Sequence, residues 1–438
     1  MNALTPLQIG KLCLQLTTDY FALSKRPSWS KDQIQSYQLQ RLRVILNEAK
    51  KHSPYYQQQQ LPTAEDIKTL DDFSKIPVTT KDDLLLHPPE KRINQRYSIQ
   101  DLIVSKSSGS TGKAFDVYYD VFSFNTFILA GLRLYKMAFP YQPWHLQTYI
   151  YTSPYPLNSF LGFYPLNFIS TLTPIEETIE NLRNRPPDLL VCYPSHLRSI
   201  ADRMTKEDFQ RIRPKAINVN SEMSSAAERE HLSQLFGCFV FDDYSSEELT
   251  RIASQCQHKN YHLFDDINYI EIVDDDGRPL PEGQIGHIVG TNLHNLGMPL
   301  LRYKQGDRGS IRSKSCACGR NFRLLENLQG RQNDAFLLPN GKTLSSGYLL
   351  DLTYEVFLTY PGTVSAFCLI QRQTSLWELE LVPGKNWHSN TAHQILSHLQ
   401  SLLKQPDVQL QTKIVQDVTK TKSGKANPII SLVQKGKF

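Results

Sequence analysis

Between about residue 100 and residue 260, apolar strand-like runs alternate with helical stretches, and this alternation limits the fold more than any other feature of the chain. Leu189-Leu190-Val191-Cys192, Ala216-Ile217-Asn218-Val219 and Cys238-Phe239-Val240-Phe241 read as strands, with helix candidates at 195–204 and 224–235 between them. Such an order predicts an α/β sheet with helices on its faces. Polar residues follow the strands, as in Asn220-Ser221-Glu222 and Asp242-Asp243-Tyr244, where open α/β sheets place their ligands. From about 264 to 312 the period becomes two. Tyr269-Ile270-Glu271-Ile272-Val273 leads through Asp274-Asp275-Asp276-Gly277 to Ile285-Gly286-His287-Ile288-Val289. That pattern predicts an antiparallel β subdomain.

On the N-terminal side, residues 1 to about 100 read as helical and irregular. Leu39, Leu42, Leu46 and Ala49 share one face of an amphipathic helix. Pro54-Tyr55-Tyr56 ends it, Gln57 to Gln60 reads as a loop, and Thr79-Thr80-Lys81-Asp82 reads as a helix start. A boundary is expected near 330–335. Beyond it come a hairpin over 364–382, a helix over 389–404 and a strand over 408–415, a small α+β domain of about 100 residues.

The 438-residue length gives room for about two to four domains. Net charge is +5, with basic and acidic residues interspersed. The basic stripe of a nucleic-acid reader is missing, so nucleic acid is not an expected partner. Only the C-terminal end, with Lys420, Lys422, Lys425, Lys435 and Lys437, is locally basic. No apolar run is long enough to span a membrane, and the N-terminus lacks a signal-peptide core. Seven cysteines without such a signal predict reduced thiols and a cytoplasmic protein. Cys13, Cys192, Cys238 and Cys368 lie among apolar residues and are expected in the core.

Ser107 to Lys113 reads SSGSTGK, with Leu102-Ile103-Val104 before it and Phe115, Val117 and Tyr119 after it. As a Ser/Gly stretch between strands it reads as a flexible hairpin turn. Its amides, hydroxyls and ammonium also suit it to cradle a polyphosphate. It is not a Walker A loop, because Ser107 stands where the first Gly belongs and Ala114 follows the lysine. Further polar stretches follow in order. Asp243-Tyr244-Ser245-Ser246-Glu247-Glu248 combines an aromatic ring with carboxylates that could hold Mg²⁺. Arg302-Tyr303-Lys304-Gln305-Gly306-Asp307 ends in an acceptor for sugar hydroxyls. Gly330-Arg331-Gln332-Asn333-Asp334 stands at the boundary, and Thr419-Lys420-Thr421-Lys422-Ser423-Gly424-Lys425 lies near the end.

In this order the motifs resemble the adenylate-forming superfamily of acyl- and aryl-CoA synthetases, adenylation domains and luciferases. Within it the chain is most similar to the phenylacetate–CoA ligase-like branch, including CapK-type proteins. The resemblance also covers LQRLRVILNEAKKHSPYY, GMPLLRYKQGD and CACGR. It implies a large N-terminal adenylation domain over 1–331, with mixed sheets, flanking helices and a β subdomain. A small mobile α+β domain over 335–438 would carry the catalytic lysine.

Carried over residue by residue, Ser107, Ser108, Gly109, Ser110, Thr111, Gly112 and Lys113 match the loop that holds the ATP phosphates. Ser221 and Glu222 match the strand end beside adenine, and Tyr244 the ring that stacks on it. Asp307 and Arg331 match the ribose-binding pair, and Lys425 the lysine that contacts the carboxylate and α-phosphate. The family pattern Tyr-Gly-x-Ser/Thr-Glu is here Tyr-Ser-Ser-Glu-Glu, which makes Glu248 the Mg²⁺ glutamate and leaves Glu247 as the alternative. Asn333 stands where the family's hinge aspartate is usual, and Ala426-Asn427-Pro428 follows Lys425 where basic residues are common.

The implied activity is ATP-dependent conversion of a carboxylic acid to an acyl or aryl adenylate, then transfer to a thiol. CoA is the expected acceptor, with an amine or a carrier-protein thiol as the alternative. A non-catalytic binding module is disfavoured by intact Lys113, Asp307, Arg331 and Lys425. The aromatic stretch 149–168 lies where the family builds part of its acyl pocket. Dimers are common in the branch, so a homodimer is an open expectation. Finally, Cys316-Ala317-Cys318 with upstream Cys256 and either His258 or His262 would make a Cys₃His zinc site, with His262 preferred. The alternative is a reduced, metal-free turn.

Overall fold

The computed structural model of the chain describes residues 6–106, 115–152, 162–331, 334–419 and 427–433, without the side chains of 8, 9, 12, 13, 16–18 and 331. The chain forms two compact units, each built from two segments. One joins Met1–Tyr141 to Asp243–Leu328, the other Gln142–Asp242 to Gln329–Phe438.

In the first unit, helix Lys31–His52 starts at a Ser30 capping box with Gln33. Its buried stripe is Ile34, Gln38, Leu42, Ile45, Leu46 and Ala49, with Leu39 only partly covered. Pro54 then occupies the first position of a new short helix, Pro54–Gln57. Proline is tolerated there because its missing N–H would be unpaired anyway, so Gln57 is helical and not loop. Thr80 caps helix Lys81–Leu85 through a box with Asp83, as its sequence predicts.

The period-two region is antiparallel as expected. Strand Asn268–Val273 pairs with Gly286–Asn292, and that strand with Tyr303–Arg312. Strands Leu324–Arg331, Tyr261–Leu263 and Thr250–Gln255 continue the order. A separate hairpin pairs Ile103–Lys106 with Asp116–Tyr119. Arg133, on helix Val121–Ala138, makes a bidentate pair with buried Asp266 at 2.6 and 2.8 Å.

In the second unit, strands Leu166–Ser170, Gln147–Tyr151, Leu189–Cys192 and Ala216–Asn220 lie side by side and parallel. Helices Ile175–Asn184, Pro194–Arg203 and Ala226–Phe236 supply Ile179, Leu197 and Leu232 to the same core. Cys192 and Cys368 are buried as expected, whereas Cys238 is only partly covered. Cys13 lies outside the described side chains.

The C-terminal segment forms the expected α+β arrangement. Strands Val364–Gln371 and Leu376–Pro383 pair antiparallel, and Gln409–Ile414 and Ile429–Ser431 join them parallel. Helices Ser346–Thr359 and Thr391–Leu403 cover the sheet around fully buried Trp377. This segment packs on helices of the same unit. Arg198 and Glu228 pair at 3.0 Å, Tyr354 Oη donates to Glu228 Oε1 at 2.7 Å, and the Arg198 guanidinium lies over the Tyr354 and Phe367 rings. Gly330 is fixed by this packing: its φ is +71°, and a Cβ there would fall 2.1 Å from Met223 Cε. Among the described residues no helix is long and apolar enough to cross a membrane.

Candidate functional site

Ser107, Ser108, Gly109, Ser110, Thr111, Gly112 and Lys113 lie outside the described residues. Their flanks do not: Lys106 pairs with Asp116, so the stretch joins two antiparallel strands. Both strands reach the turn after Tyr244. Ser105 Oγ donates to the Glu247 carboxylate, and Tyr119 Oη to the Glu247 main-chain oxygen. Burial raises the Tyr119 hydroxyl well above its ordinary range, and the charges of Glu247 and Glu248 add to this. It therefore serves as a neutral donor.

Glu247 and Glu248 have different surroundings. Glu247 is exposed, with its carboxylate engaged by Ser105. Glu248 is 8% exposed and accepts from Tyr303 Oη at 3.0 Å. Burial raises its carboxyl above the ordinary glutamate range; the Tyr303 hydrogen bond and the Lys81 charge oppose this without cancelling it. Lys81 also lies 6.0 Å from the Phe115 ring centroid, beside the exit of the SSGSTGK stretch. Backbone pairing sets its position: Thr79 N donates to Arg302 O at 3.0 Å, and Lys304 N to Thr79 O at 2.9 Å.

Around Asp307, each residue of the Arg302–Asp307 motif has its own task. Arg302 is buried and structural, with Glu271 at 3.0 Å and the carbonyls of Ser74, Ile76 and Gly277. Gln305 donates to Ser246 Oγ at 3.1 Å. Gly306 adopts φ +92°, a conformation that favours glycine, and turns the chain into Asp307. Tyr244 Oη donates to Asp307 Oδ2 at 2.7 Å. Thus Tyr244, Glu248 and Asp307 are gathered in one unit, joined by Tyr303 and Gln305. A ring, an acceptor carboxylate and a buried carboxyl in such a cluster suit a nucleoside and a hard cation.

In the other unit, Ser221 and Glu222 follow strand Ala216–Asn220. Ser221 sits at φ +67°, unusual for a residue with a Cβ, and donates to Asn220 Oδ1 at 2.9 Å. Glu222 Oε2 accepts from Ser195 N at 3.2 Å. The ring of Tyr151 lies 4.7 Å from that of Tyr193, and its hydroxyl donates to Asn220. Only the ends of the aromatic stretch 149–168 are described, since 153–161 are not. Arg331 ends strand Leu324–Arg331, but its side chain is not described. Lys425 lies outside the described residues.

Sequence reasoning missed Tyr303, Ser105, Tyr119 and Lys81. Tyr303 stood inside a quoted motif without a partner. Lys81 read only as a helix start and Tyr119 as part of an alternating segment, and nothing in the sequence singled out Ser105.

The cysteine group does come together. Among the described residues, Cys256, His262, Cys316 and Cys318 place their ligand atoms within 4.8 Å of one another. Cys256 and Cys316 Sγ are 3.8 Å apart, and Cys318 Sγ is 3.1 Å from His262 Nε2. His262 Nδ1 faces Phe322 O at 3.3 Å, which leaves Nε2 toward the sulfurs. Burial lowers the imidazole to about 4, so it is neutral. His258 is exposed and lies outside the cluster, whereas His262 is part of it. Tetrahedral zinc with Zn–S of about 2.3 Å puts two thiolates roughly 3.8 Å apart, so the cluster fits this ion.

No family model matches the chain. It is 25% identical to a phenylacetate–coenzyme A ligase of Thermus thermophilus over 378 residues, 80% of this chain and 81% of the relative. It is 26% identical to a phenylacetate–coenzyme A ligase of Pseudomonas putida over 338 residues, 70% and 73% of the two chains. Among solved structures, 2-hydroxyisobutyryl-CoA ligase in the postadenylation state aligns with a TM-score of 0.75, at 18% identity, over 93% of this chain and 91% of that one. The last likeness establishes the fold.

Proposed function

We propose, from the premise that the chain is a phenylacetate–CoA ligase-like member of the adenylate-forming superfamily, that it activates a carboxylic acid with ATP and passes the acyl group to CoA. The observation that carries this reading is the gathering of Tyr244, Glu248 and Asp307, with Ser105 and Tyr119 attaching the SSGSTGK hairpin to the same turn. Tyr244 would bind the adenine face and Asp307 would accept from the ribose hydroxyls.

A carboxylate oxygen attacks the ATP α-phosphorus, and the bond to the bridging oxygen of pyrophosphate breaks. The products are acyl adenylate and pyrophosphate. The thiol of CoA then attacks the acyl carbonyl, loses its proton and expels AMP. Lys113 and the loop donors would hold the phosphates, and Lys425 would hold the attacking carboxylate against the α-phosphate. Glu248, four residues after Tyr244, is the residue that would hold Mg²⁺, with Glu247 as the alternative; each carboxylate accepts one hydroxyl, from Tyr303 and Ser105 respectively, and a bound Mg²⁺ supplies charge neutralisation at the phosphates. Lys81, beside Phe115 and Glu248, would add a cation on the same side. Residues 335–438 are assigned as the small domain that brings Lys425.

Cys256, His262, Cys316 and Cys318 are assigned as a structural zinc site, closed by four protein ligands and so without a position for substrate.

Pyrophosphate release across a panel of carboxylic acids tests the reading. AMP formation that needs CoA supports a CoA ligase, and turnover with an amine alone would replace it. K425A should lower carboxylate-dependent ATP–pyrophosphate exchange by more than about tenfold. Unchanged exchange would remove Lys425 from the mechanism.

A further inference from the structure

Glu380, on strand Leu376–Pro383, is a carboxylate only 4% exposed in a small domain whose proposed catalytic group lies on a different segment. Its Oε2 accepts from both Thr419 N and Thr419 Oγ1 at 2.9 Å, and Lys413 Nζ lies 3.5 Å from its Oε1. Directly across the hairpin its partner is Cys368. Cys368 Sγ donates to Asn427 O at 3.3 Å, and the neighbouring Leu369 N to Pro428 O at 2.8 Å. One cross-strand pair therefore grips both Thr419 and Asn427, the residues on either side of the segment that carries Lys425. Val418 packs beside Cys368 and Ile370 and fixes the entry side further.

We infer that Glu380 is a positioning residue for Lys425: with Cys368 it fixes both ends of the lysine segment on one rigid hairpin. This rests on the proposed adenylation chemistry. The physical case is independent of that chemistry. Two 2.9 Å bonds to one oxygen of a carboxylate are charge-assisted and hold direction better than neutral bonds. Burying a charge is unfavourable unless it is well partnered, and the partners here are Thr419 and Lys413. A bare apolar strand position would shape the sheet equally well. Spending a buried carboxylate on Thr419 makes sense where the segment after it must be aimed.

The test separates the two half-reactions. Lys425 is needed while the adenylate forms, not while CoA attacks it. E380A should slow carboxylate-dependent ATP–pyrophosphate exchange at least about tenfold with little change in KM for ATP. Thioester formation from a chemically prepared acyl adenylate plus CoA should stay within about twofold. E380Q keeps an acceptor oxygen and should recover most of the exchange rate. T419V alters an exposed residue, removes one of the two bonds, and should fall between wild type and E380A. Equal slowing of both half-reactions, or exchange in T419V and E380A within about twofold of wild type, would overturn the inference. Amide hydrogen exchange at Val418 and Thr419, expected to speed up at least about tenfold in E380A, reads the anchoring without any turnover. If the wild-type protein shows no carboxylate-dependent exchange at all, the functional reading fails while this last measurement still decides the anchoring.

Discussion

The Tyr244 hydroxyl donates a 2.7 Å hydrogen bond to Asp307 Oδ2, across 63 residues of sequence, and so ties the proposed adenine-stacking ring to the proposed ribose acceptor. Removing the hydroxyl alone leaves the ring in place. Y244F should raise the KM for ATP by about two- to tenfold, the range of a single lost hydrogen bond. D307A loses an ionised acceptor and should cost more, roughly thirtyfold or above. Initial rates at varied ATP measure both, and a larger effect for Y244F than for D307A would contradict the assignment.

Glu248 gives a pH prediction. Its carboxyl is raised by burial, and the ionised form is the one that can hold a cation. The acid limb of kcat/KM for ATP should therefore lie above the ordinary glutamate value of 4.5, with activity lost as pH falls through it. Tyr303 opposes the shift through its hydrogen bond, so Y303F should move the limb to still higher pH. For stability the sign is the reverse. A carboxyl raised by folding contributes stability below its unfolded value, and that contribution is lost as pH rises through the folded value. A limb that stays put in Y303F would disconnect Tyr303 from the titration.

Zinc should copurify near one equivalent per chain. C316S should reduce it below about a tenth and lower the thermal midpoint, because a structural ion couples its binding energy to folding. Less than about a tenth of an equivalent in fully active wild-type protein, by elemental analysis, would sink the site.

The Arg133–Asp266 pair gives a stability prediction. Both side chains are at most 2% exposed. D266A leaves the Arg133 cation buried without its partner and should destabilise the fold by about 3–5 kcal/mol. Denaturant unfolding measures this. A loss below about 1 kcal/mol would mean that water reaches the guanidinium after the change.

The alternation of strands and helices, the antiparallel change near 264 and the C-terminal α+β pattern were all legible, because burial periodicity is a local property. Pro54 does mark the end of helix Lys31–His52, as its sequence predicts, but the single turn of helix it opens, Pro54–Gln57, is not legible, since proline at a first helical position has the same appearance in sequence as proline after a last one. The site motifs were legible by order, but their cross-links were not. Nothing local indicates that Tyr303 reaches Glu248 or that Ser105 reaches Glu247, since those contacts depend on sheet register. The cysteines of the proposed zinc cluster were readable from their spacing, whereas the placing of His262 and not His258 among them depends on the fold. Nor does any periodicity announce that 142–242 and 329–438 share a unit. Residues such as Glu228 and Tyr354 meet by tertiary packing alone.

That last contact bears on how the chain is made. Glu228 and Tyr354 are 126 residues apart, and the rings covering the Arg198–Glu228 pair are those of Tyr354 and Phe367. At ordinary translation speeds, on the order of ten seconds pass between the emergence of Glu228 and that of Tyr354. During that interval Arg198 and Glu228 stand beside Met223 and Ala227 on a surface that has yet to meet its cover. The ion pair can be solvated by water while it waits, which an apolar pair of the same size cannot.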